Sequence, residues 1–217
     1  MRSLCLDHAD AVELFDTQLR EFLETAQRLD DLALLGASLC HGWSRVDVLV
    51  HVRLGLEEVL GGCMAQTDRA VDHDAASYWA SFATDTETDP VPPILWLRRT
   101  AAAYGRPSSA TRHLADVMAR LLGALYRMPD HPVLFQDKVM ASGDFLATWV
   151  VELAIHQLDL DVADPSTSVG LALTRRTLEA LADQDLPRGL DDRAAVLAAL
   201  GRAPVPDDLR GAFPISL

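Results

Sequence analysis

Apolar side chains recur at three- and four-residue steps along most of this chain of 217 residues. This spacing places them on one face of an α-helix, as expected for helices that pack against a protein core. Between residues 7 and 29, the residues with this spacing are Val12, Phe15, Leu19, Phe22 and Ala26. The sequence lacks clear alternation of apolar and polar residues next to hairpin turns, so strands are not expected to dominate. The pattern therefore predicts an all-α protein.

Three further long helices are predicted, over residues 44–60, 94–127 and 143–161. The second of these three is expected to break or kink at Pro107, because proline lacks an amide hydrogen and crowds the preceding turn. Together with the first helix they predict an up-down four-helix bundle, and we assign residues 1–165 to it.

Two shorter helical patterns, near residues 169–183 and 190–201, follow the fourth long helix. They predict a small helical C-terminal extension, residues 166–217, that packs on the bundle. Residues 68–93 are rich in Asp, Thr and Ser and contain three prolines. We therefore predict a loop there, with at most one short turn around Tyr78.

The chain is strongly acidic, with 32 acidic and 19 basic residues and a formal charge of −13 at pH 7. Such a surface repels phosphate backbones, which argues against a nucleic-acid partner. The apolar runs fall short of the roughly 20 residues that span a bilayer, and the N-terminus lacks the apolar segment of a signal peptide. We therefore expect neither a membrane protein nor a secreted one.

The three cysteines, Cys5, Cys40 and Cys63, are odd in number and form no CxxC pair. This pattern is typical of buried free thiols rather than of a disulfide framework. It indicates a reducing environment, so the expected location is cytoplasmic. Contact of Cys40 or Cys63 with a metal is a less favoured alternative to simple burial.

Glu152 and His156 stand out in the fourth long helix, within the segment TWVVELAIHQLDLD. They are four residues apart, so they lie on the same helix face, one turn from each other. Their neighbours are mostly apolar, and a carboxylate and an imidazole on such a surface need a polar partner. A divalent metal would satisfy both side chains. The alternative is a simple hydrogen bond between the two on the helix surface.

His51 is a third candidate ligand, again among apolar residues, in the second long helix. Antiparallel packing of the second and fourth long helices would bring it opposite Glu152 and His156. Two histidines and one carboxylate leave open coordination positions, as in catalytic zinc sites and non-haem iron sites. The alternative for His51 alone is a core histidine whose hydrogen bonds are satisfied.

Asp47 and Asp159 are candidate hydrogen-bond partners that would orient the two histidines. Asp47 precedes His51 by one turn, and Asp159 follows His156 by about one turn. A carboxylate that accepts a hydrogen bond from the second ring nitrogen fixes the orientation of a metal-bound histidine. For Asp47 the alternative, compatible with the first, is a capping box with Ser44 at the start of the helix.

The segments GWSRVDVLVHV and TWVVELAIHQLDL resemble the DinB-like superfamily, and within it the mycothiol-dependent maleylpyruvate isomerase-type metal-binding family. The segment DDRAAVLAALGRAPVPDDL resembles the helix and Gly-Arg ending of the same branch. The resemblance extends over residues 10–210. The positions that match the pattern are Gly42, Trp43, Asp47, His51, Glu152, His156 and Asp159.

The resemblance implies a DinB-like four-helix bundle with zinc held by His51, Glu152 and His156. It also implies that mycothiol, a low-molecular-weight thiol, binds through its sulfur. Zinc lowers the pKa of a coordinated thiol, and the resulting thiolate attacks an electrophilic carbon of a small substrate. In an isomerase the thiol then leaves, whereas in an S-transferase the sulfur stays in the product.

Several alternatives stay open on the sequence. Iron or nickel suits the same ligands as zinc. A metal-dependent hydrolase would activate water instead of a thiol and would need a general base, for which Asp144 and Asp159 are weak candidates. A non-catalytic bundle that binds metal or a small molecule is the third hypothesis. A homodimer is a further expectation.

Overall fold

The computed structural model describes residues 1–82, 89, 91–162, 168–207 and 211–215. These residues form nine helices and one two-stranded hairpin, which confirms the all-α prediction. The helices are α1 (His8–Gln27), α2 (Asp31–Leu35), α3 (Arg45–Gly62), α4 (Ala75–Ala80), α5 (Val91–Ala102), α6 (Pro107–Leu125), α7 (Ser142–Asp159), α8 (Leu171–Ala182) and α9 (Asp192–Ala199). The strands are β1 (Val133–Phe135) and β2 (Lys138–Met140).

Helices α3 and α7 run antiparallel through the centre of the bundle, as predicted. Arg45, at the start of α3, donates from Nε to the carbonyl of Leu160 at the end of α7, at 2.6 Å. At the other end of α3, a Cβ on Gly62 would lie 2.5 Å from Cζ of Phe145 in the first turn of α7. The two helices therefore run antiparallel, with side chains of one in contact with the other at both ends.

Helix α1 runs parallel to α7 and antiparallel to α6. The His8 ring pairs with the Ser142 hydroxyl at 2.9 Å, and Gln18 donates to Gln157 one helix-length further on, at 2.6 Å. Tyr126, which ends α6, donates its hydroxyl to Asp16 in the middle of α1. The four long helices thus point up, down, down and up in chain order, so their directions do not alternate as the predicted up-down arrangement would require. Two consecutive parallel helices require a long connection, which residues 63–106 provide.

The structure confirms the predicted break in this connection. The helical region predicted over 94–127 is two helices, α5 and α6, because Pro107 occupies the first turn of α6 and the residue before it is extended. The loop predicted over 68–93 contains the short helix α4, whose first amides are capped by Asp74. Residues 83–88 and 90 of that loop lie outside the described part of the chain.

The hairpin β1–β2 was not predicted. Its strands have three residues each, which is too short for an alternating pattern to register in the sequence. Gln136 and Asp137 form the turn, and both have positive φ angles of 48° and 62°. A two-residue turn with this geometry matches the natural twist of paired strands.

The C-terminal helices pack on the bundle. A Cβ on Gly170, just before α8, would lie 2.7 Å from the Gln18 side-chain oxygen, so α8 begins in close contact with α1. Arg175 in α8 donates to the carbonyls of Leu186, Pro187 and Leu190 and thereby holds the connection to α9. The proposed boundary between residues 165 and 166 lies outside the described residues. Among the described residues, no helix is both long and apolar enough to cross a membrane.

Candidate metal centre

The structure brings His51, Glu152 and His156 together between α3 and α7. His51 Nε2 donates to Glu152 Oε1 at 2.8 Å, and His156 Nε2 lies 3.2 Å from the same oxygen. The three side chains can each offer one ligand atom such that all of these atoms lie within 4.8 Å of one another. The antiparallel packing inferred from the sequence is therefore the arrangement that makes the cluster.

Gly55, one turn after His51, leaves room for the ring of Trp149 from α7 beside the cluster. A Cβ there would lie 2.3 Å from Cη2 and 2.7 Å from Cζ3 of Trp149. Only hydrogen fits at this position without moving the indole ring. In the sequence, Gly55 appears only as a glycine inside a predicted helix. Its role depends on Trp149 in another helix, so the sequence analysis did not assign it.

The charges of the cluster stabilise one another. Burial raises the pKa of Glu152, but the His156 charge and hydrogen bonds from both histidines outweigh it and hold the pKa well below its usual range. Burial lowers the pKa of His156, but attraction to Glu152 and hydrogen bonds to Asp159 and Glu152 raise it above its usual value. His156 therefore tends to hold a proton, which a metal ion must displace because imidazole binds metals in its neutral form.

Asp159 is hydrogen-bonded to His156. The side chain of Asp159 is fully buried, and its Oδ2 accepts a hydrogen bond from His156 Nδ1 at 3.0 Å. This leaves Nε2 of His156 facing Glu152. Arg202 donates to both oxygens of Asp159, from Nε at 2.7 Å and from Nη2 at 3.1 Å. Sequence reasoning did not assign Arg202 to the site, and its only signal was the Gly-Arg ending after the last helix.

Asp47 forms the capping box with Ser44. Its Oδ2 accepts from the Ser44 amide at 2.8 Å and from the Ser44 hydroxyl at 2.6 Å. Arg98 Nε lies 4.0 Å from the same oxygen. The capping interpretation of Asp47 is therefore confirmed, whereas its orienting role toward His51 stays a prediction.

Trp43 covers both histidines. Its ring centroid lies 5.0 Å from that of His51 and 6.2 Å from that of His156, the second pair being nearly parallel at 22°. Gly42, the preceding residue, has a φ of +84°, a conformation that favours glycine. The Gly-Trp turn thus aims the indole ring at the cluster.

A cavity of about 950 Å³ opens over the cluster. This volume lies in the range typical of small-molecule sites. Its wall includes the three clustered side chains, Cys40 and Arg202. Burial raises the pKa of the Cys40 thiol to about 11, so this thiol is neutral at physiological pH.

The donor set fits a divalent transition metal. Two imidazole nitrogens and one carboxylate are ligands that zinc and iron accept, and three protein ligands leave positions for a small molecule. The orienting bond between Asp159 and His156 is the arrangement that usually supports a metal-bound histidine. Asp144, the other base considered for a hydrolase, lies two turns or more from Glu152 and accepts from the Leu6 amide.

The fold and the cluster define a DinB-like helical bundle with two histidines and a glutamate at the floor of a cavity. The family model described as the mycothiol maleylpyruvate isomerase N-terminal domain matches residues 15–161, and the chain belongs to this family. No curated protein matches the chain by sequence.

Two solved structures share the fold. One is a crystal structure of the mycothiol-dependent maleylpyruvate isomerase, at 18% identity and a TM-score of 0.58. The other is a histidine-to-alanine mutant of the mycothiol-dependent maleylpyruvate isomerase, at 20% identity and a TM-score of 0.56. Each match covers 82% of this chain and 70% of the other.

Proposed function

We propose that this protein is a metal-dependent enzyme that uses mycothiol to attack a small electrophilic substrate, as an isomerase or an S-transferase. We propose zinc as the metal and His51, Glu152 and His156 as its ligands. Family membership supports the thiol, and the donor set supports the metal. The cytoplasmic location and the homodimer stay predictions.

The convergence of both histidine Nε2 atoms on one oxygen of Glu152, inside a cavity, carries this proposal. If Glu152 and His156 formed only a hydrogen-bonded pair on the helix surface, they would not need His51 as a third partner. Here a third polar side chain arrives from another helix, and Asp159 fixes the outer nitrogen of His156. A structural hydrogen-bond network would not need the open space above it.

The residues of the chain supply binding, orientation and exclusion of water. When bound, the metal lowers the pKa of a coordinated thiol, so that a thiolate forms at neutral pH. Glu152 contributes one negative charge to the site, and the Asp159–Arg202 pair holds His156 in place. Trp43 covers the histidines on one side.

Elemental analysis of protein purified without added metal or chelator tests the metal centre. We expect about one equivalent of zinc in the wild type and its loss in His51→Ala and Glu152→Gln. His113→Ala is the matched control, because His113 is a half-buried histidine outside the cluster that contacts Tyr104 and Glu57. Wild-type protein that contains no metal and takes up none on reconstitution would refute the metal centre.

The thiol is tested separately with cobalt-substituted protein. A thiolate bound to cobalt gives a charge-transfer absorption, which we expect on addition of mycothiol and not on addition of its S-methyl derivative. Mass spectrometry of the product then separates an S-transferase, whose product keeps the sulfur, from an isomerase, whose product does not. Absence of the absorption together with hydrolysis of ester or amide substrates would favour the hydrolase hypothesis instead.

A further inference from the structure

The cavity over the metal cluster is strongly aromatic. All four tryptophans of the chain line it, although they are far apart in the sequence. Trp43 precedes α3, Trp79 belongs to α4, Trp96 to α5 and Trp149 to α7. The aromatic residues of the wall are Trp43, Tyr78, Trp79, Phe82, Trp96 and Trp149.

The aromatic wall extends from the buried floor to the open rim. Trp79 and Trp149 are each 8% exposed, whereas Trp96 is 55% and Phe82 44% exposed. Tyr78 lies between the buried and the exposed part of this wall. Its ring centroid is 5.3 Å from that of Trp79 and 5.0 Å from that of Phe82. Large apolar surfaces that stay exposed inside a concave site indicate an apolar ligand.

The charged residues of the cavity are unsuited to carboxylates. Its acidic side chains are Glu57, Glu58 and Glu152, and Arg202 is the only lysine or arginine among the described residues that line it. A buried carboxylate needs an opposite charge or several hydrogen bonds, which a free guanidinium usually supplies. Arg202 is not free for this role, because its Nε and Nη2 both donate to Asp159.

A bound metal does not change this balance. The two positive charges of a zinc ion are offset by Glu152 and by the thiolate of the proposed reaction. The remaining charges, Glu57 and Glu58, are negative, and the closest partner of Glu57 is Arg53 at 2.7 Å. A dicarboxylate would therefore enter a site that offers no unpaired positive charge among its described lining residues.

We infer that this cavity selects uncharged electrophiles that carry an aromatic ring, and discriminates against dicarboxylates such as maleylpyruvate. The inference rests on the proposed thiol-dependent function and assigns its substrate class. In the reaction, the thiolate sulfur bonds to the β-carbon of an enone and the π electrons move to the carbonyl oxygen. A proton from solvent then completes the addition, or the sulfur leaves after rotation about the former double bond.

Three enones with one reactive group test the selectivity. They are pent-3-en-2-one, 4-phenylbut-3-en-2-one and the para-carboxyphenyl analogue of the latter, each given to the holoenzyme with mycothiol. After subtraction of the uncatalysed reaction, we expect kcat/KM for the phenyl compound to exceed that of both others by at least about tenfold, a difference of about 1.4 kcal/mol. Equal values, or the highest value for the carboxylate, would overturn the inference.

Variants at the cavity rim test which residues cause the preference for the phenyl compound. Trp96→Ala removes an exposed ring and is expected to reduce the preference for phenyl over methyl several-fold, whereas Tyr126→Ala, an exposed aromatic outside the cavity, is the control. Glu58→Arg adds a positive charge to the wall and should raise kcat/KM for the carboxyphenyl compound relative to the phenyl compound. A Trp96→Ala variant with unchanged selectivity would show that the aromatic wall does not recognise the phenyl ring of the substrate.

A binding measurement separates this inference from the proposed function. The saturated ketone 4-phenylbutan-2-one cannot react, and its binding is followed by quenching of tryptophan fluorescence in protein with and without metal. Saturable quenching without thiol-dependent turnover of any enone would refute the function and leave the aromatic selectivity standing. Thiol-dependent turnover with quenching by mycothiol alone would show that the wall serves the thiol, and would overturn the inference.

Discussion

The substitution Asp159→Asn tests whether the buried carboxylate beside His156 supports metal binding. Asn has nearly the same shape as Asp but no charge, and its amide nitrogen cannot accept a hydrogen bond. The change therefore removes the negative charge that faces His156 and leaves one of the donors, His156 Nδ1 or an Arg202 nitrogen, without an acceptor. Loss of such an orienting partner typically weakens metal affinity by 10- to 100-fold, or about 1.4–2.8 kcal/mol. Because Asp159 is fully buried, we expect the upper part of this range.

The matched control is Asp74→Asn, which makes the same chemical change at the start of α4. The Asp74 carboxylate accepts hydrogen bonds from the amides of Ala76 and Ser77 as the cap of that helix. We expect this variant to lose at most about 1 kcal/mol of stability with little change in metal affinity. Zinc affinity is measured by competition with a chromophoric chelator, and stability by urea unfolding of the metal-free proteins. Equal losses of affinity in the two variants, or no loss in Asp159→Asn, would refute the assignment of Asp159 as the orienting residue.

Three further outcomes are expected. Phe22→Ala empties a fully buried position in α1 and should lower the free energy of unfolding by about 3–5 kcal/mol in denaturant titrations, whereas a loss below 1 kcal/mol would contradict the packing. Arg175→Ala removes three bonds to carbonyls between α8 and α9, so it should lower the Tm and increase hydrogen exchange of α9 while zinc content stays unchanged. Burial raises the pKa of Asp74, but hydrogen bonds from Ser3, Ser77 and Leu4 lower it below its usual value. A lowered folded pKa means that the carboxylate stabilises the protein above the unfolded pKa of about 3.9 and that this stability is lost as the pH falls through the folded value. Asp74→Ala should therefore cost about 1 kcal/mol at pH 7 and progressively less as the pH falls into the acidic range, and a cost that does not change with pH would refute the capping role.

Much of the bundle could be predicted because helix formation and helix faces depend on local sequence. The apolar stripe of α1, the capping box of Ser44 and Asp47, and the break before Pro107 are all properties of residues within a few positions of one another. The hairpin β1–β2 could not be predicted in this way, because three-residue strands carry too little pattern and their pairing depends on a turn at Gln136 and Asp137.

The sequence by itself determined the helical class of the protein and the three residues of the candidate cluster. Glu152 and His156 share a face because they are one turn apart, and His51 stands out as a polar residue in an apolar helix. Each observation follows from the pattern within one helix, whereas joining His51 to the other two required the expected antiparallel packing of the two helices and the family resemblance.

Only the tertiary structure decided how the cluster is supported and what surrounds it. Arg202 reaches Asp159 across 43 residues of sequence, and Gly55 matters only because the Trp149 ring lies against it. The four tryptophans form one wall because four separate segments meet over the cluster. Such contacts depend on the directions and separations of helices distant in sequence, and local patterns do not specify these quantities.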